Sequence, residues 1–384
     1  MAAGNRHEDR IAKRSLNLDL ELFSTPNLEA KKIERVVVRG TNWVGDAVMT
    51  IPALRELRRV LPKAHITLAT RSSTKAIFDE ADFLDDVLVY DRGPSGLGAV
   101  MHQIKEWRAR RFDLAVLLQN AFEAALIGFC ARVPARLGYS TDGRKLLLTH
   151  PITIPSWRSE RHEVFYYLNI VAELEKCLGS ESDIMSHVPD IGLTVSNERQ
   201  KAARELLIAN GAHLDRHLVA LCPGSTNSRA KRWPAERFAA LADKIVDDMK
   251  VDVVLVGSAD ELEVSRKVTE LMRSTPVMLT GHTDLAQAIA VLSLADVLVT
   301  NDTGPSHISA ALDRPTLVIF GPTEPATTRP YSNSAEVIRQ PPDCAPCMLR
   351  DCPIDHRCMT AISPDDVFAR VSALLSTQRV EVRA

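Results

Sequence analysis

The segment from Val297 to His307 carries the residues best suited to hold a charged ligand. An apolar run predicts a buried strand, and the turn formers from Asn301 to Gly304 follow it. Pro305 suits the first turn of a helix, because no backbone N–H is needed there. A strand leading into a glycine-containing turn at a helix start aims amides and the positive helix end at one point, which attracts phosphate. The phosphate site is therefore predicted at Thr303, Gly304 and Ser306.

A second turn of the same kind follows the strand predicted at 218–221. Glycine lets the backbone approach a ligand closely, and hydroxyls with two positive charges suit a diphosphate whose charge grows as it leaves. The alternative is a solvated basic loop above Trp233. A second phosphate-suited turn in the same half of the chain favours binding. The candidate residues here are Gly224, Ser225, Thr226 and Lys231, with Arg232 beside them.

Four further residues complete this candidate site. Asp260 and Glu261 follow a predicted strand at 253–256, where a carboxylate can accept hydrogen bonds from ribose hydroxyls. Capping of a helix by Asp260 explains the pattern equally well. Asp302 is expected to orient its turn, since a carboxylate beside a diphosphate would be repelled. His307 is expected to contact the ligand, although a histidine on a helix is more often structural.

Asp46 is the candidate for proton transfer. It follows a glycine-containing turn, 40–45, and precedes a helix predicted at 47–60. The turn is not GxGxxG, so a dinucleotide site is only weakly supported. A carboxylate at a helix start is stabilised by the helix dipole, and spacing alone favours that structural interpretation. The functional alternative is a general base that takes a proton from a substrate hydroxyl.

The elements that position these residues fall into two α/β halves. Strands predicted at 35–39, 65–69, 87–89 and 114–118 alternate with helices, which indicates βαβ units and a parallel sheet. The pattern repeats after a linker predicted at 179–189, and residues 134–161 are expected to be loops with short elements. Ligands bind at the carboxyl ends of strands in such sheets, so the turns of both halves are expected to face one cleft.

Bulk properties narrow the class of protein. The chain has 384 residues, 45% of them apolar and 25% charged, which suits two soluble domains. A net charge of −2 argues against a nucleic-acid partner. Without a long apolar run or a signal sequence, we expect a cytoplasmic protein. Residues 1–31 are expected to be a flexible extension, with a short amphipathic turn near Leu16 to Phe23.

Four of the seven cysteines cluster between residues 344 and 358, with the spacing Cx2Cx4Cx5C. In a cytoplasmic protein such a cluster is more typical of metal binding than of disulfides. The spacing is not that of two regular CxxC knuckles, however. A proline-containing loop with packed thiols is the favoured interpretation, and no metal is assigned.

Taken together, the motifs resemble those of the bacterial lipopolysaccharide heptosyltransferases, glycosyltransferase family 9. The likeness runs from about residue 33 to about residue 375, and the order and spacing of the motifs make it specific. The segments that carry it are Gly40-x-Asn42-x-x-Gly45-Asp46, Pro223-Gly224, Lys231 to Pro234, Gly257-Ser258, Asn301-Asp302-Thr303-Gly304-x-x-His307, and Phe320 to Thr323.

The resemblance implies a GT-B fold, in which two Rossmann-like parallel-sheet domains face each other across a cleft. It implies an acceptor-binding domain at 32–185, an ADP-sugar-binding domain at 186–362, and a C-terminal helix and tail at 363–384. It also implies an inverting transfer of L-glycero-D-manno-heptose from ADP-heptose to the anionic inner core of lipopolysaccharide, heptosyl-Kdo2-lipid A. No cofactor or metal is needed, and contact with the cytoplasmic face of the inner membrane is expected.

The resemblance also assigns roles to residues. Asp46 matches the catalytic base, which reverses the interpretation from spacing alone, and Lys231 matches the lysine that contacts the donor phosphates. Asp302, Thr303, Gly304 and His307 match the donor-binding motif, and Asp260 or Glu261 matches an acidic region near the sugars of the donor. The residues predicted to contact or steer the anionic acceptor are Asn42, Arg71, Arg136 and Arg144.

Other functions are compatible with the same residues. The chain could be a heptosyltransferase of type I, a transferase for another nucleotide sugar, or one that modifies protein. A catalytically inactive nucleotide-sugar-binding protein is an alternative from another class, against which Asp46 beside an intact donor motif argues. A nicotinamide dehydrogenase is the weakest alternative, because the glycine fingerprint is absent.

Overall fold

The computed structural model describes residues 28–91 and 96–377. The amphipathic turn predicted near Leu16 to Phe23 lies outside these residues. Within the described ranges, no helix is both long enough and apolar enough to cross a bilayer.

The first lobe is built on a parallel sheet of six strands in the order β3-β2-β1-β4-β5-β6. Its strands are β1 (Arg35–Arg39), β2 (His65–Thr70), β3 (Asp86–Val89), β4 (Leu114–Leu117), β5 (Ala135–Tyr139) and β6 (His150–Ile152). Its α-helices are α1 (Val44–Met49), α2 (Ile51–Val60), α3 (Ser72–Lys75), α4 (Gly96–Arg110), α5 (Phe122–Cys130) and α6 (Glu163–Cys177).

The second lobe repeats this topology in the order β12-β11-β10-β7-β8-β9. Its strands are β7 (Leu218–Cys222), β8 (Asp252–Leu255), β9 (Val277–Met278), β10 (Val297–Asn301), β11 (Thr316–Phe320) and β12 (Ala335–Arg339). Its α-helices are α7 (Asn197–Ala209), α8 (Ala235–Met249), α9 (Leu262–Leu271), α10 (Leu285–Leu294), α11 (Gly304–Ala311), α12 (Pro325–Thr328), α13 (Arg357–Thr360) and α14 (Pro364–Ser376).

The strand order reverses between the first and fourth strand of each sheet. In the first lobe this switch point lies between β1 and β4, and in the second it lies between β7 and β10. In open parallel sheets the crevice outside the strand ends at such a point is where ligands bind. The turn before Asp46 leaves β1, and the two phosphate-suited turns leave β7 and β10, so all three lie at switch points.

Hydrophobic periodicity predicted most elements, with informative exceptions. The strand at 35–39 has the predicted bounds, and the strands predicted at 65–69, 87–89, 114–118, 218–221 and 253–256 each differ by at most one residue at either end. The helix predicted at 47–60 is instead two helices that meet at Thr50, because Pro52 begins a new first turn. Residues 134–161 contain β5 and β6, which complete the first sheet.

One hydrophobic cluster continues from the first lobe into the second. It contains Val36 and Ile170 from the first lobe and Leu218 and Ala290 from the second. The predicted linker takes part, since Ile184 is fully buried in the same cluster. The helix α14 packs its buried face, Val367, Val371 and Leu375, into the separate core of the second lobe.

Two glycines allow helices of opposite lobes to touch. A Cβ atom on Gly304, at the start of α11, would lie 2.8 Å from the Cβ of Val44 in α1. A Cβ atom on Gly45 would lie 2.9 Å from the ring of His307. Carbon atoms do not approach this closely without a shift, so the two helix starts meet only because both positions lack a side chain.

We expect Gly304→Ala to destabilise the protein. The added methyl must displace Val44 or separate the lobes, and overpacking of this kind typically costs about 1–3 kcal/mol. Chemical denaturation would measure the free energy of unfolding. Gly96→Ala is the matched control, because Gly96 also begins a helix and an added Cβ would meet nothing within 4 Å. Equal stability of the two variants would contradict the close helix contact.

Candidate active site

Asn301 joins the two turns at the switch point of the second lobe. Its carboxamide Nδ2 donates to the carbonyls of Pro223 at 2.9 Å and Gly224 at 3.1 Å. Its Oδ1 accepts the backbone N–H of Trp233 at 3.0 Å. Because Asn301 is fully buried, one side chain at the end of β10 fixes the start and the end of the turn after β7. Sequence reasoning noted Asn301 in the motif but did not include it in the site.

Lys231 is held beside the second phosphate-suited turn. Its Nζ lies 2.6 Å from Oδ2 of Asp302 and donates to the carbonyl of that residue at 3.3 Å. The same Oδ2 accepts the hydroxyl of Thr323 at 2.7 Å. Asp302 is almost fully buried and therefore orients Lys231, which agrees with the role expected for this carboxylate. The Lys231 side chain remains 26% exposed, so its ammonium can also reach a ligand.

The turn after β7 combines buried and exposed positions. Ser225 is buried, and its carbonyl accepts the Arg232 guanidinium at 2.9 and 3.2 Å. Arg232 therefore shapes this turn, while Thr226 is exposed. Gly224 packs closely against Glu261, because a Cβ atom at this position would overlap the Glu261 side chain.

Glu261 lies next to the turn, whereas Asp260 is exposed. The Oε2 atom of Glu261 accepts the backbone N–H of Ser258 at 2.8 Å and its hydroxyl at 2.9 Å. The capping interpretation proposed for Asp260 is therefore wrong in detail, since Ser258 and Glu261 form the capping box. Of the two carboxylates, the structure brings Glu261 into contact with the glycine turn.

The start of α11 has fewer available donors than predicted. The amide of Ser306 donates to the Thr303 carbonyl at 3.1 Å, and the Ser306 hydroxyl donates to the same atom at 2.6 Å. Ser306 is fully buried and closes the turn instead of facing a ligand. Thr303 and Gly304 are partly exposed at the helix start, where the positive end of the dipole lies.

His307 is buried where α11 meets α1. Burial lowers its pKa to about 4, against the opposing charge of Asp302. The imidazole is therefore neutral near pH 7. It packs against Gly45, the residue before Asp46, so in this structure it bridges the lobes.

Asp46 lies in the first turn of α1 and faces the second lobe. Burial raises the pKa of its carboxyl, while the charge of Lys231, hydrogen bonding by Tyr167 and the charge of Arg158 act in the opposite direction. Lys231 belongs to the second lobe, and the residue before Asp46 packs against His307 of that lobe, so Asp46 lies where the lobes meet. A buried carboxylate with nearby cations is the environment typical of a tuned base.

Helix α6 supplies a polar cluster behind Asp46 that the sequence analysis missed. Glu163 pairs with both terminal nitrogens of Arg158, at 2.6 and 2.8 Å. The Arg158 guanidinium also lies 4.0 Å above the ring of Tyr166. Burial raises the pKa of Glu163, and the charge of Arg158 opposes this. No sequence pattern indicated that Arg158, Glu163 and Tyr167 lie near Asp46.

The predicted acceptor residues separate into two groups. Asn42 accepts the Nε–H of Arg71 at 3.0 Å in the turn that leads to Asp46, and Arg71 also lies over the ring of Tyr90. Arg144, by contrast, is fully buried. It donates at 2.6 Å to each of three acceptors, the carbonyls of Tyr139 and Gln119 and the Asn120 side chain.

Arg136 is similarly engaged, since its Nε donates to the Leu147 carbonyl at 2.6 Å and its Nη1 donates to the Val133 carbonyl. Burial lowers the pKa of Arg136 and of Arg144. The prediction that Arg144 steers an acceptor is therefore wrong, because Arg144 is fully buried and its donors bind groups of the first lobe. The same role for Arg136, which is partly exposed, stays a prediction. Arg158 is the arginine whose charge acts on Asp46.

The clustered cysteines are free thiols. Burial and the nearby sulfurs of Cys352, Cys347 and Cys344 raise the pKa of Cys358. Over residues 28–91 and 96–377, no three side chains of His, Cys, Asp or Glu are arranged to hold a metal ion. The cysteine segment nevertheless contacts the turn that carries Lys231.

Two facing Rossmann-like lobes, with a cationic turn on one side and a carboxylate on the other, define a GT-B glycosyltransferase. The family model described as glycosyltransferase family 9 (heptosyltransferase) matches residues 100–357. The chain belongs to this family and is a transferase, as the resemblance of its motifs predicted.

Individual relatives agree along almost the whole chain. Lipopolysaccharide heptosyltransferase 2 of Salmonella typhimurium is 27% identical over 359 residues, which cover 90% of this chain and 100% of the relative. The solved E. coli ADP-heptose LPS heptosyltransferase II is 26% identical, with a TM-score of 0.75 and coverage of 89% of this chain and 99% of that one. A family 9 glycosyltransferase from Veillonella parvula, 24% identical, agrees in fold with a TM-score of 0.79 and coverage of 91% and 99%.

We expect Arg144→Leu to affect stability and leave acceptor binding unchanged. The substitution leaves three buried acceptors without a donor, which should lower the free energy of unfolding by about 2–5 kcal/mol. Denaturant titration would measure this loss, and steady-state kinetics would give the acceptor KM. Lys145→Leu removes the neighbouring exposed charge and serves as control. A raised acceptor KM in a stably folded Arg144→Leu protein would show that Arg144 does contribute to acceptor binding.

Proposed function

We propose that this chain transfers L-glycero-D-manno-heptose from ADP-heptose to the inner core of lipopolysaccharide, heptosyl-Kdo2-lipid A, with inversion at the anomeric carbon. The names of the similar proteins support this donor and this class of acceptor. Residues 32–185 would bind the acceptor and residues 186–362 the donor. The reaction would take place at the cytoplasmic face of the inner membrane, where the acceptor lipid is anchored.

The observation that carries the proposal is the pairing of charges across the gap. Asp46 extends from the first lobe, and the charge of Lys231 from the second lobe acts on its carboxyl. A base on one side and a phosphate-binding cation on the other would flank the reacting carbon. This division matches a direct displacement, in which nucleophile and leaving group lie on opposite faces of the sugar.

On the donor side, the diphosphate of ADP would lie between Lys231 and the start of α11. The Lys231 ammonium and the positive helix end at Thr303 and Gly304 would stabilise the charge that grows on the departing diphosphate. Glu261, which lies against the turn after β7, would face the sugars of the nucleotide. Asp302 would hold Lys231 without touching the phosphates.

On the acceptor side, Asp46 would take the proton from a sugar hydroxyl as that oxygen attacks the anomeric carbon. The new glycosidic C–O bond forms while the bond from the anomeric carbon to the diphosphate breaks, and ADP leaves with the bonding electron pair. The proton stays on Asp46 until the product departs. Asn42 and Arg71, in the turn before Asp46, would contact the anionic acceptor, and the charge of Arg158 would help to keep Asp46 ionised.

Replacing the base should reduce turnover much more than donor binding. We expect Asp46→Asn to lower kcat by about 10² to 10⁴, the usual contribution of a general base, with little change in ADP affinity. Mass spectrometry of the product formed from ADP-heptose would measure turnover, with Kdo2-lipid A acceptors that carry one heptose or none. UDP and GDP sugars in parallel would test the donor.

Asp365→Asn is the matched control, because Asp365 is also an acid in the first turn of a helix but is exposed and pairs with Lys244. Normal turnover by Asp46→Asn would remove Asp46 from this role. No turnover of any donor by the unmodified protein, despite ADP binding, would favour the inactive binding protein.

The pH dependence should follow from the same charges. Asp46 must be ionised to accept a proton, and burial raises its pKa, so kcat should fall with acidification at a higher pH than for an ordinary aspartate. Lys231→Met removes a charge that lowers this pKa, so the acid limb should move to still higher pH. Rates at saturating donor would measure the shift, with Lys244→Met as control. If the acid limb of Lys231→Met lies at the same pH as that of the unmodified protein, Lys231 does not lower the pKa of Asp46.

A further inference from the structure

The segment 340–356 connects β12 to α13 and contains three of the clustered cysteines. It forms no helix or strand, yet it lies against the loops that carry Lys231 and Thr323. Irregular segments of this length are uncommon in compact domains unless they have a function. The proposed reaction assigns it no role.

The segment holds the turn of Lys231 through Ala230. The backbone N–H of Ala230 donates to the Arg350 carbonyl at 2.9 Å, and its carbonyl accepts Nε2–H of His356 at 2.6 Å. The hydroxyl of Ser228 donates to the same Arg350 carbonyl at 3.2 Å. The residues before Lys231 form a single 3-10 turn, which has little stability of its own. These hydrogen bonds therefore fix the backbone position from which the Lys231 side chain extends.

His356 is itself held from several directions. Its backbone N–H donates to Sγ of Cys352 at 3.3 Å, and its carbonyl accepts the N–H groups of Met359 and Thr360 at 3.0 Å each. Its φ of 57° turns the chain at the start of α13, which buries Cys358 and Met359 in the core of the second lobe. The imidazole thus projects from a rigid point of that lobe.

The same segment holds the second loop beside Lys231. The N–H of Met348 donates to the carbonyl of Pro322 at 2.9 Å. Thr323, which follows Pro322, donates its hydroxyl to Asp302 at 2.7 Å. Asp302 is the ion-pair partner of Lys231. Both members of this ion pair are therefore positioned by contacts to one segment.

We propose that His356 is a positioning residue, which fixes the backbone of the Lys231 turn and thereby places the Lys231 ammonium for the donor diphosphate. The inference rests on the proposed function, in which Lys231 binds that diphosphate. His356 acts through Lys231 and does not touch the donor.

Two substitutions that differ by one methylene test this role. His356→Asn suits the left-handed backbone, but its shorter side chain does not reach the Ala230 carbonyl. It should raise the Kd for ADP and the KM for ADP-heptose by about 3- to 10-fold, the effect of one hydrogen bond, and lower kcat by no more than a similar factor, because Lys231 also stabilises the departing diphosphate. His356→Gln places an N–H donor at the distance of Nε2 and should restore both values. Calorimetry with ADP and steady-state kinetics would measure them.

His213→Ala is the matched control. His213 also makes one side-chain hydrogen bond in the second lobe, to Asp252 at 3.0 Å, but it lies before β7, at the opposite end of the strand from the Lys231 turn. Its loss should leave ADP affinity unchanged. Thermal unfolding of each variant would verify that it is folded.

A double substitution separates positioning from a general structural effect. In a Lys231→Met background, His356→Asn should change ADP affinity by less than about 2-fold, because the ammonium group through which His356 acts is already absent. An undiminished effect in that background, or unchanged ADP affinity in a folded His356→Asn protein, would overturn the inference. Absence of ADP binding in the unmodified protein would instead contradict the proposed function.

Discussion

The approach of α1 and α11 through Gly45 and Gly304 is the constraint on which the site depends. Each helix leaves the switch point of its own sheet, so each lobe alone presents only one part of the chemistry. Where the helix starts touch, the carboxylate of one lobe comes under the influence of the lysine of the other. A side chain at either glycine would move the Asp46 carboxylate and the Lys231 ammonium apart.

The charges at this contact have linked roles. Burial opposes ionisation of Asp46, and the cations of both lobes favour it. In the proposed reaction Lys231 would contribute twice, to the ionised base and to binding of the diphosphate. Asp302 and Thr323 restrain its ammonium, while contacts to Ala230 restrain its backbone. A site built on one shared cation requires this rigidity, because a displaced lysine would weaken donor binding and the base together.

Three arginines of the first lobe have the same side chain but different roles. Arg136, Arg144 and Arg158 lie in one basic stretch and have the same chemistry. Arg144 is fully buried and binds carbonyls, which fixes the loops at the ends of β4 and β5, and Arg136 does the same nearby. Arg158 stacks on Tyr166 and pairs with Glu163, which leaves it partly exposed near Asp46. The residues that each arginine contacts in the folded protein decide its role, and the composition of the stretch does not.

The sequence by itself determined the two parallel-sheet lobes, the glycine turns and the family, because these follow from local periodicity and from motifs in a fixed order. Only the tertiary structure decided that Glu261 and not Asp260 meets the turn, that Ser306 closes its own turn, and that Tyr167 and His356 lie beside Asp46 and Lys231. Apart from the Ser306 turn, these outcomes depend on contacts between residues far apart in the chain. Local patterns predict the direction of a strand or helix, but the partner of a side chain is set by how the elements pack.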